Sequence, residues 1–244
     1  MAKKTQQKKR KKNHAKATNA AKLADLHRLY ERSVQNPEAD IEFIDKTYRK
    51  LRRKAPRVLR EDFCGTALMC KTWVEGKRQR EAVGVDLDAK TLTWATENNI
   101  SLLGKKSDRV QLVREDVRTV RTRAADVLVA FNFSYCIFKD RPALIDYFAN
   151  VKANLSPSGL FFLDAHGGTE LREETCEEKD FDDFIYVWEQ ATVCPISSEG
   201  VRYIHFKFPD GSKIKKAFVY DWRLWSLTEL GECLREAGFE NVRF

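Results

Sequence analysis

A chain of 244 residues with 43% hydrophobic side chains is long enough for one α/β domain with a real core and too apolar to be disordered throughout. Its formal charge of +8 is confined to one end: nine of the 44 Lys and Arg fall in residues 1–22, which hold no carboxylate, and the remaining 35 meet 36 acidic residues, so the body has no basic excess with which to coat a polyanion. Six scattered cysteines without a Cys-x-x-Cys pair, and only four histidines, argue against a disulfide framework and predict no metal site, and no stretch reaches the roughly twenty apolar residues of a membrane span.

Residues 1–22 carry Lys3, Lys4, Lys8, Lys9, Arg10, Lys11, Lys12, Lys16 and Lys22 and little to bury, a composition that predicts a disordered tail. No apolar run follows, so the tail is not read as a secretory leader. It reads as a nuclear or nucleolar address on an otherwise cytoplasmic protein, as a tether giving non-specific, salt-sensitive contact with RNA or a ribosome, or as a solubilising extension. Residues 23–55 read as two helices. Leu23, Leu26, Leu29 and Tyr30 share one face, Ile41, Ile44, Tyr48 and Leu51 another, and Asn36-Pro37 separates them.

An apolar strand then ends in Leu59-Arg60-Glu61-Asp62 and breaks into the small-residue turn Phe63-Cys64-Gly65-Thr66-Ala67. After a helix, a second strand, Val83-Gly84-Val85-Asp86, ends in a carboxylate. Such a turn lets backbone approach a nucleoside cofactor, and such a carboxylate accepts hydrogen bonds from ribose hydroxyls. Only Gly65 is glycine where a dinucleotide fingerprint has three, which disfavours a pyrophosphate cofactor. A helix from Asp88 to about Ile100 leads to a third strand, 110–113, followed by Arg114-Glu115-Asp116-Val117. A fourth strand, 126–131, runs into Asn132-Phe133-Ser134-Tyr135.

With these four sites in order, residues 56–244 resemble the class I S-adenosylmethionine-dependent methyltransferases. The resemblance implies a Rossmann-like α/β fold: a mainly parallel, seven-stranded-type sheet flanked by helices, with the helices of 23–55 as a lid. It implies S-adenosyl-L-methionine as cofactor, bound by Arg60, Glu61, Cys64, Gly65, Thr66, Ala67, Asp86, Leu87, Asp116, Val117 and Asn132. Glu61 and the 64–67 turn would hold the methionine side; Asp86 would hold the ribose and Asp116 the adenine amine. Arg60 reads equally as a guanidinium on the cofactor's carboxylate and as a surface or structural arginine. Phe63 and Ala67 depart from the family, which has glycines at those positions.

Asp140-Arg141-Pro142 opens the next helix, whose buried face is Leu144, Ile145, Phe148, Val151 and Leu155. Residues 156–159 read as a turn and 160–163 as a short buried strand ending at Asp164-Ala165-His166. The carboxyl ends of parallel strands are where ligands bind, so Asp164 and His166 stand where substrate is expected. His166 is a candidate general base, the alternative being a loop histidine bonded to backbone. Asn132, Ser134 and Tyr135 are candidate positioning groups, and the candidate catalytic set is Asn132, Tyr135 and His166.

Alternation over 185–193, 201–208 and 213–220 predicts antiparallel strands within an insertion at about 181–222, with a hairpin turn at 209–212. Its aromatics, Tyr186, Trp188, Tyr203, Phe206, Phe208, Phe218, Tyr220, Trp222 and Trp225, form a cation cage on one reading and a covered core on the preferred one. Ser226-Leu227-Thr228-Glu229 is a capping box, Gly238 ends the last helix, and 240–244 begins a strand, so the sheet's final strand is expected to be missing. The function implied is methyl transfer to an N, O or C nucleophile of a small-molecule acceptor. The alternatives are a silent methyltransferase-like scaffold binding RNA or ribosomes through the tail, and a Rossmann-like nucleotide enzyme such as a dehydrogenase.

Overall fold

A computed structural model describes residues 19–77 and 79–244 of the chain. Five parallel strands, β1 (Val58–Asp62), β2 (Glu81–Asp86), β3 (Val110–Arg114), β4 (Ala125–Ala130) and β5 (Leu155–Leu163), lie in the order β3-β2-β1-β4-β5. The order reverses at β1, so the crevice at the carboxyl ends of β1 and β4 is the ligand-binding position of this topology. The expected α/β class and parallel sheet are found, with five strands where a seven-stranded type was expected. Residues 240–244 form no strand.

Helices cover both faces. On one, α3 (Pro37–Arg52), α4 (Leu68–Gly76) and α5 (Ala89–Ala95) bury Ile44, Tyr48, Trp73 and Leu92 against Leu59 and Val127. On the other, α6 (Arg141–Ala153) and α7 (Leu227–Glu236) bury Leu144, Tyr147, Phe148 and Leu230 against Leu128. Before them, α1 (Ala20–Leu23) and α2 (Leu26–Val34) run along the second sheet. Residues 20–22, which composition assigns to the tail, belong to the helical turn α1, held by Ala20 N–H to Asp210 and Ala21 N–H to Ser212. The rest of the tail reading falls on residues 1–18, outside the described residues. No helix of the described residues is long and apolar enough to cross a membrane.

The second sheet is antiparallel, β6 (Thr175–Asp180), β7 (Ile185–Gln190), β8 (Glu199–Lys207) and β9 (Lys213–Arg223) in that order. β6, with the sequence Thr-Cys-Glu-Glu-Lys-Asp, was not expected because its charges hide any alternation; charged edge strands of this kind deter further pairing. Residues 156–159 are not a free turn. They lie inside β5 as an irregularity where pairing jumps from Ala125↔Leu155 to Val127↔Leu160, and a Cβ on Gly159 would meet the Ala125 carbonyl at 2.9 Å.

β1 is buried along its whole length although three of its five residues are charged. Strand alternation puts Arg60 and Asp62 on one face and Glu61 on the other. The Arg60 guanidinium donates from Nε to Asp62 Oδ1 at 2.7 Å and from Nη1 to Thr122, while Asp62 Oδ2 accepts from the Tyr147 hydroxyl at 3.1 Å. Burial pushes Asp62 up to about 6 against the pull of Arg60 and Tyr147. Removing one partner strands the other's charge in the core. Asp62→Ala is therefore expected to cost about 3–5 kcal/mol in denaturant unfolding, with the Arg60→Met/Asp62→Leu double variant recovering most of the loss.

Candidate active site

The turn after β1 is built on left-handed backbone at every second residue: Phe63 at φ 57°, Gly65 at φ 50° and Ala67 at φ 54°. Glycine adopts this conformation freely, whereas each L-residue in it costs roughly 1–2 kcal/mol. Phe63 offsets its share by packing its ring against Phe138 and Tyr147, with centroids 6.0 and 5.6 Å away. Ala67 is fully buried as the residue that starts α4. At Gly65 a Cβ would meet nothing within 4 Å, so the turn is open on the side where backbone is bare.

Asp86, at the end of β2, fixes this turn. Its Oδ2 accepts the Gly65 N–H at 2.9 Å and its Oδ1 the Asp88 N–H at 2.9 Å. Each oxygen keeps a lone pair for a ligand hydroxyl. Glu61 lies beneath the turn, accepting from the Cys70 backbone N–H at 3.3 Å and the Cys70 thiol at 3.1 Å. Burial pushes its carboxyl up to about 8, with the Cys70 contacts opposing and the nearby Asp86 and Asp62 adding. Thr66 is buried with its hydroxyl unpartnered. These groups suit a ligand with an amine for Glu61, a sugar for Asp86 and a polar edge for Thr66, so the turn fits a nucleoside cofactor with a cationic tail.

The turn after β4 uses the same device. Asn132 and Phe133 are left-handed (φ 56° each), and their N–H groups donate to Asp164 Oδ2 and Oδ1 of β5's exit at 2.7 and 2.9 Å. Burial raises Asp164 to about 6 in spite of those bonds.

Several sequence-predicted residues stand elsewhere than expected. Arg60 is fully buried and committed to Asp62, so it does not reach a cofactor carboxylate. Cys64 turns its thiol into the core beside Gly84, and its backbone N–H and carbonyl are taken by Val85 and Ala67; it shapes the turn without offering a free group. Val117 is buried, with its carbonyl held by Asn150. Tyr135 is buried and donates its hydroxyl to the Asp164 carbonyl at 2.8 Å, which makes it a positioning residue. Ser134 caps its own turn on the Phe131 carbonyl. Asp116 is partly exposed at the β3 exit and bonded to Arg118, while Leu87 is exposed beside Asp86.

Beside the turns lies a second feature, an aromatic cavity of about 230 Å³ walled by Tyr30, Asn132, Phe133, Tyr186, Trp188, Tyr220 and Trp222. It adjoins one of about 330 Å³ through shared His166, Glu177 and Trp188. Of the insertion aromatics, Phe206 is core and Trp225 joins the main core with its indole N–H on the Phe138 carbonyl, while four face this cavity. Tyr48 is core, whereas Tyr30 of α2 is at the junction of both features: burial raises its pKa, a hydrogen bond to Tyr220 opposes, and the carboxylates of Asp164 and Glu61 add to the rise. His166 packs on Phe133 with centroids 4.7 Å apart. Burial and the nearby Arg202 lower its basicity against a contact with Gln190, so the ring is neutral near pH 7.

Sequence reading missed the link between α2 and the cofactor turn. Glu31 is buried, accepting from Arg28 Nη1 at 2.8 Å and from Asn99 Nδ2 at 2.7 Å, and Asn99 Nδ2 also donates to the Thr66 carbonyl at 2.8 Å. A glutamate in mid-helix carries no signal of this kind, because its partner lies 68 residues away.

No family model matches the sequence, and no curated protein matches it. The fold is that of the class I S-adenosylmethionine-dependent methyltransferases. A S-adenosylmethionine-dependent methyltransferase from Clostridium acetobutylicum superposes with a TM-score of 0.70 at 18% identity over 86% of this chain and 85% of that one. An amino pentose methyltransferase of calicheamicin biosynthesis from Micromonospora echinaspora gives 0.69 at 14% over 88% and 89%, and a sugar N-methyltransferase from Streptoalloteichus gives 0.65 at 17% over 98% and 90%. At these identities the likeness establishes the fold.

Glu61 yields a prediction with a definite sign. Its folded carboxyl titrates near 8, while an unfolded glutamate titrates near ~4.3, so the folded state favours the protonated form and loses stability as pH climbs between those values. Glu61→Gln is expected to match the wild type in melting temperature near pH 4.5 and to exceed it by several degrees at pH 8.5, while binding S-adenosylhomocysteine more weakly. Parallel melting curves across that range check it.

Proposed function

We propose that the chain is an S-adenosylmethionine-dependent methyltransferase acting on a small molecule. The observation that carries this reading is the link between two sites through one helix: Tyr30 of α2 lines the aromatic cavity, and its neighbour Glu31 is joined through Asn99 to the Thr66 carbonyl of the cofactor turn. In this reading Glu61 holds the amino end of the cofactor, the Gly65 and Thr66 segment lies along its chain, Asp86 takes the ribose and Asp116 the adenine amine. When bound, the cofactor supplies an electrophilic methyl group on a sulfonium.

The protein's own contribution is placement and exclusion of water. Tyr30 of α2 and Asn132 at the β4 exit line the cavity and would orient the acceptor. Phe133, Trp188 and Trp222 surround it with apolar surface, which keeps water from competing and leaves a nucleophile poorly solvated. His166, neutral near pH 7, is placed to take the proton an acceptor N–H or O–H releases. The structural neighbours from Micromonospora and Streptoalloteichus are a methyltransferase of an amino pentose and a sugar N-methyltransferase. They support a small polar acceptor and favour nitrogen among the N, O and C nucleophiles.

Calorimetric titration with S-adenosylhomocysteine tests the cofactor. The wild type is expected to bind and Asp86→Ala to bind at least tenfold more weakly, a loss of about 1.4 kcal/mol. Equal affinities would remove Asp86 from the site and undermine the reading.

A further inference from the structure

Behind the Trp222 ring of the aromatic cavity, β8 holds a buried charge that no carboxylate of the described residues neutralises. Arg202 of β8 is fully buried. Its Nη1 donates to the Gly200 carbonyl at 3.0 Å, its Nη2 reaches the Leu171 carbonyl only at 3.5 Å, and its Nε has no partner. Among the described residues none of the acidic side chains pairs with it; the neighbouring group that favours its charge is the Cys136 thiol. A guanidinium remains ionised at any pH a folded protein experiences, so this arrangement is costly unless something else supplies the negative charge. Arg60, equally buried, shows how the same fold treats a purely structural arginine: it is given Asp62.

Two further unpartnered polar atoms lie near the guanidinium. The Trp222 indole N–H is buried without an acceptor, and its ring centroid lies 5.8 Å from the Arg202 Cζ. His166 Nε2 is likewise buried without a partner, in a ring that lines the adjoining cavity together with Leu171 and Gln190, the residues next to Arg202. The register fixes where these groups face. Arg202 stands opposite Gln190 of β7 and Tyr220 of β9, so it shares the sheet face that carries Trp188, Tyr220 and Trp222 into the cavity. Gln190 and Leu171, which line the adjoining cavity, cover it.

We propose that the acceptor carries a carboxylate, seated between Arg202, Trp222 and His166, with its apolar part among Tyr30, Phe133 and Trp188. The proposal rests on the methyltransferase reading for the acceptor's role, though not for the existence of the anion site. A buried donor without a protein acceptor calls for water, an ion or a ligand, and the adjoining cavity has room for one. Seating the anion exchanges the long Leu171 contact for a charge-assisted one and gives the indole N–H an oxygen. A monoanion suits the site better than a phosphate dianion, because both Nη groups already donate to carbonyls and the carboxylate of Glu177 lies on the cavity wall. A carboxylate there also offsets the guanidinium's repulsion of an imidazolium, which helps His166 take a proton.

Phenylacetate is the probe, titrated into the full chain with S-adenosylhomocysteine present and absent, beside phenylacetamide, phenethylamine and phenyl phosphate. Phenylacetate is expected to bind, to shift one indole N–H resonance that Trp222→Phe removes, and to bind at least tenfold more tightly than the amide. Arg202→Met is expected to abolish that preference while melting within a few degrees of the wild type, since an apolar isostere relieves an unpaired buried charge. Trp222→Phe, which keeps the ring and loses one donor, is expected to weaken phenylacetate several-fold and serves if the Arg202 variant misfolds. Absence of phenylacetate binding at millimolar concentration, equal binding of the amide or amine, tighter binding of phenyl phosphate, or an unchanged preference in Arg202→Met would each overturn the proposal. Failure of S-adenosylhomocysteine to bind while phenylacetate does would sink the cofactor reading and leave the anion site standing.

Discussion

The left-handed backbone at the exits of β1 and β4 is the constraint from which the site follows. A parallel strand that must stop abruptly and release its chain toward a ligand needs positive φ, and five residues here supply it: Phe63, Gly65, Ala67, Asn132 and Phe133. Four of the five are not glycine, so each turn has to be held open against its own steric preference. The holding groups are carboxylates from the next strand outward in the sheet. Asp86 of β2 grips the β1 turn through the Gly65 N–H, and Asp164 beyond β5 grips the β4 turn through Asn132 and Phe133. The two strands flanking the topological switch therefore use one solution, and the crevice between them is bordered by the bare backbone of one turn and the side chains of the other.

Around that crevice, desolvated acids accumulate. Glu61, Asp62 and Asp164 are all pushed upward by burial, and each is tied to a different neighbour: Cys70, Arg60 with Tyr147, and the β4 turn. Their roles separate by what surrounds them. Asp62 is balanced by a cation and closes the core. Asp164 is saturated with backbone donors and sets geometry. Glu61 has only a backbone N–H and a thiol, which leaves it the least compensated of the three and best able to gain from an incoming cation.

The strand ends and turns at the carboxyl edge of the parallel sheet were legible in the sequence because their signal is local. The acidic strand end, the small-residue turn and the carboxylate at Asp86 occur at spacings set by one strand-turn-helix-strand unit, and no distant residue is needed to recognise them. Faces and partners were not legible. Arg60 next to Glu61 looked like a ligand-binding cation, although its i, i+2 relation to Asp62 places the two on one strand face, where they neutralise each other. Tyr135 looked like a positioning group for substrate because it follows β4, yet its hydroxyl is spent on Asp164. The acidic strand β6 and the Arg28–Glu31–Asn99 link were hidden for opposite reasons: the first has charges on both faces, and the second joins residues about 70 apart in the chain. The irregularity inside β5 reads as a turn from Ser-Pro-Ser-Gly alone, and only its pairing with β4 keeps it in the sheet.

Comparison of the two buried arginines separates stability from recognition in this fold. Arg60 and Arg202 are both inaccessible, both lie on strands, and both cost desolvation to bury. The first sits in the central strand of the parallel sheet with a carboxylate two residues away and a tyrosine beyond it, an arrangement whose charge is balanced although one nitrogen, Nη2, goes unpartnered. The second lies on the inner face of the antiparallel sheet, near an unpaired indole and an unpaired imidazole nitrogen, behind Leu171 and Gln190 of a cavity wall. A core selected for stability alone has no use for unpartnered polar atoms on Arg202, Trp222 and His166, since apolar residues of the same size would serve better. The antiparallel sheet therefore does more than roof the crevice: its inner face carries polarity that the rest of the protein leaves unsatisfied, and α2, through Tyr30 on one side and Glu31 on the other, joins that face to the cofactor turn.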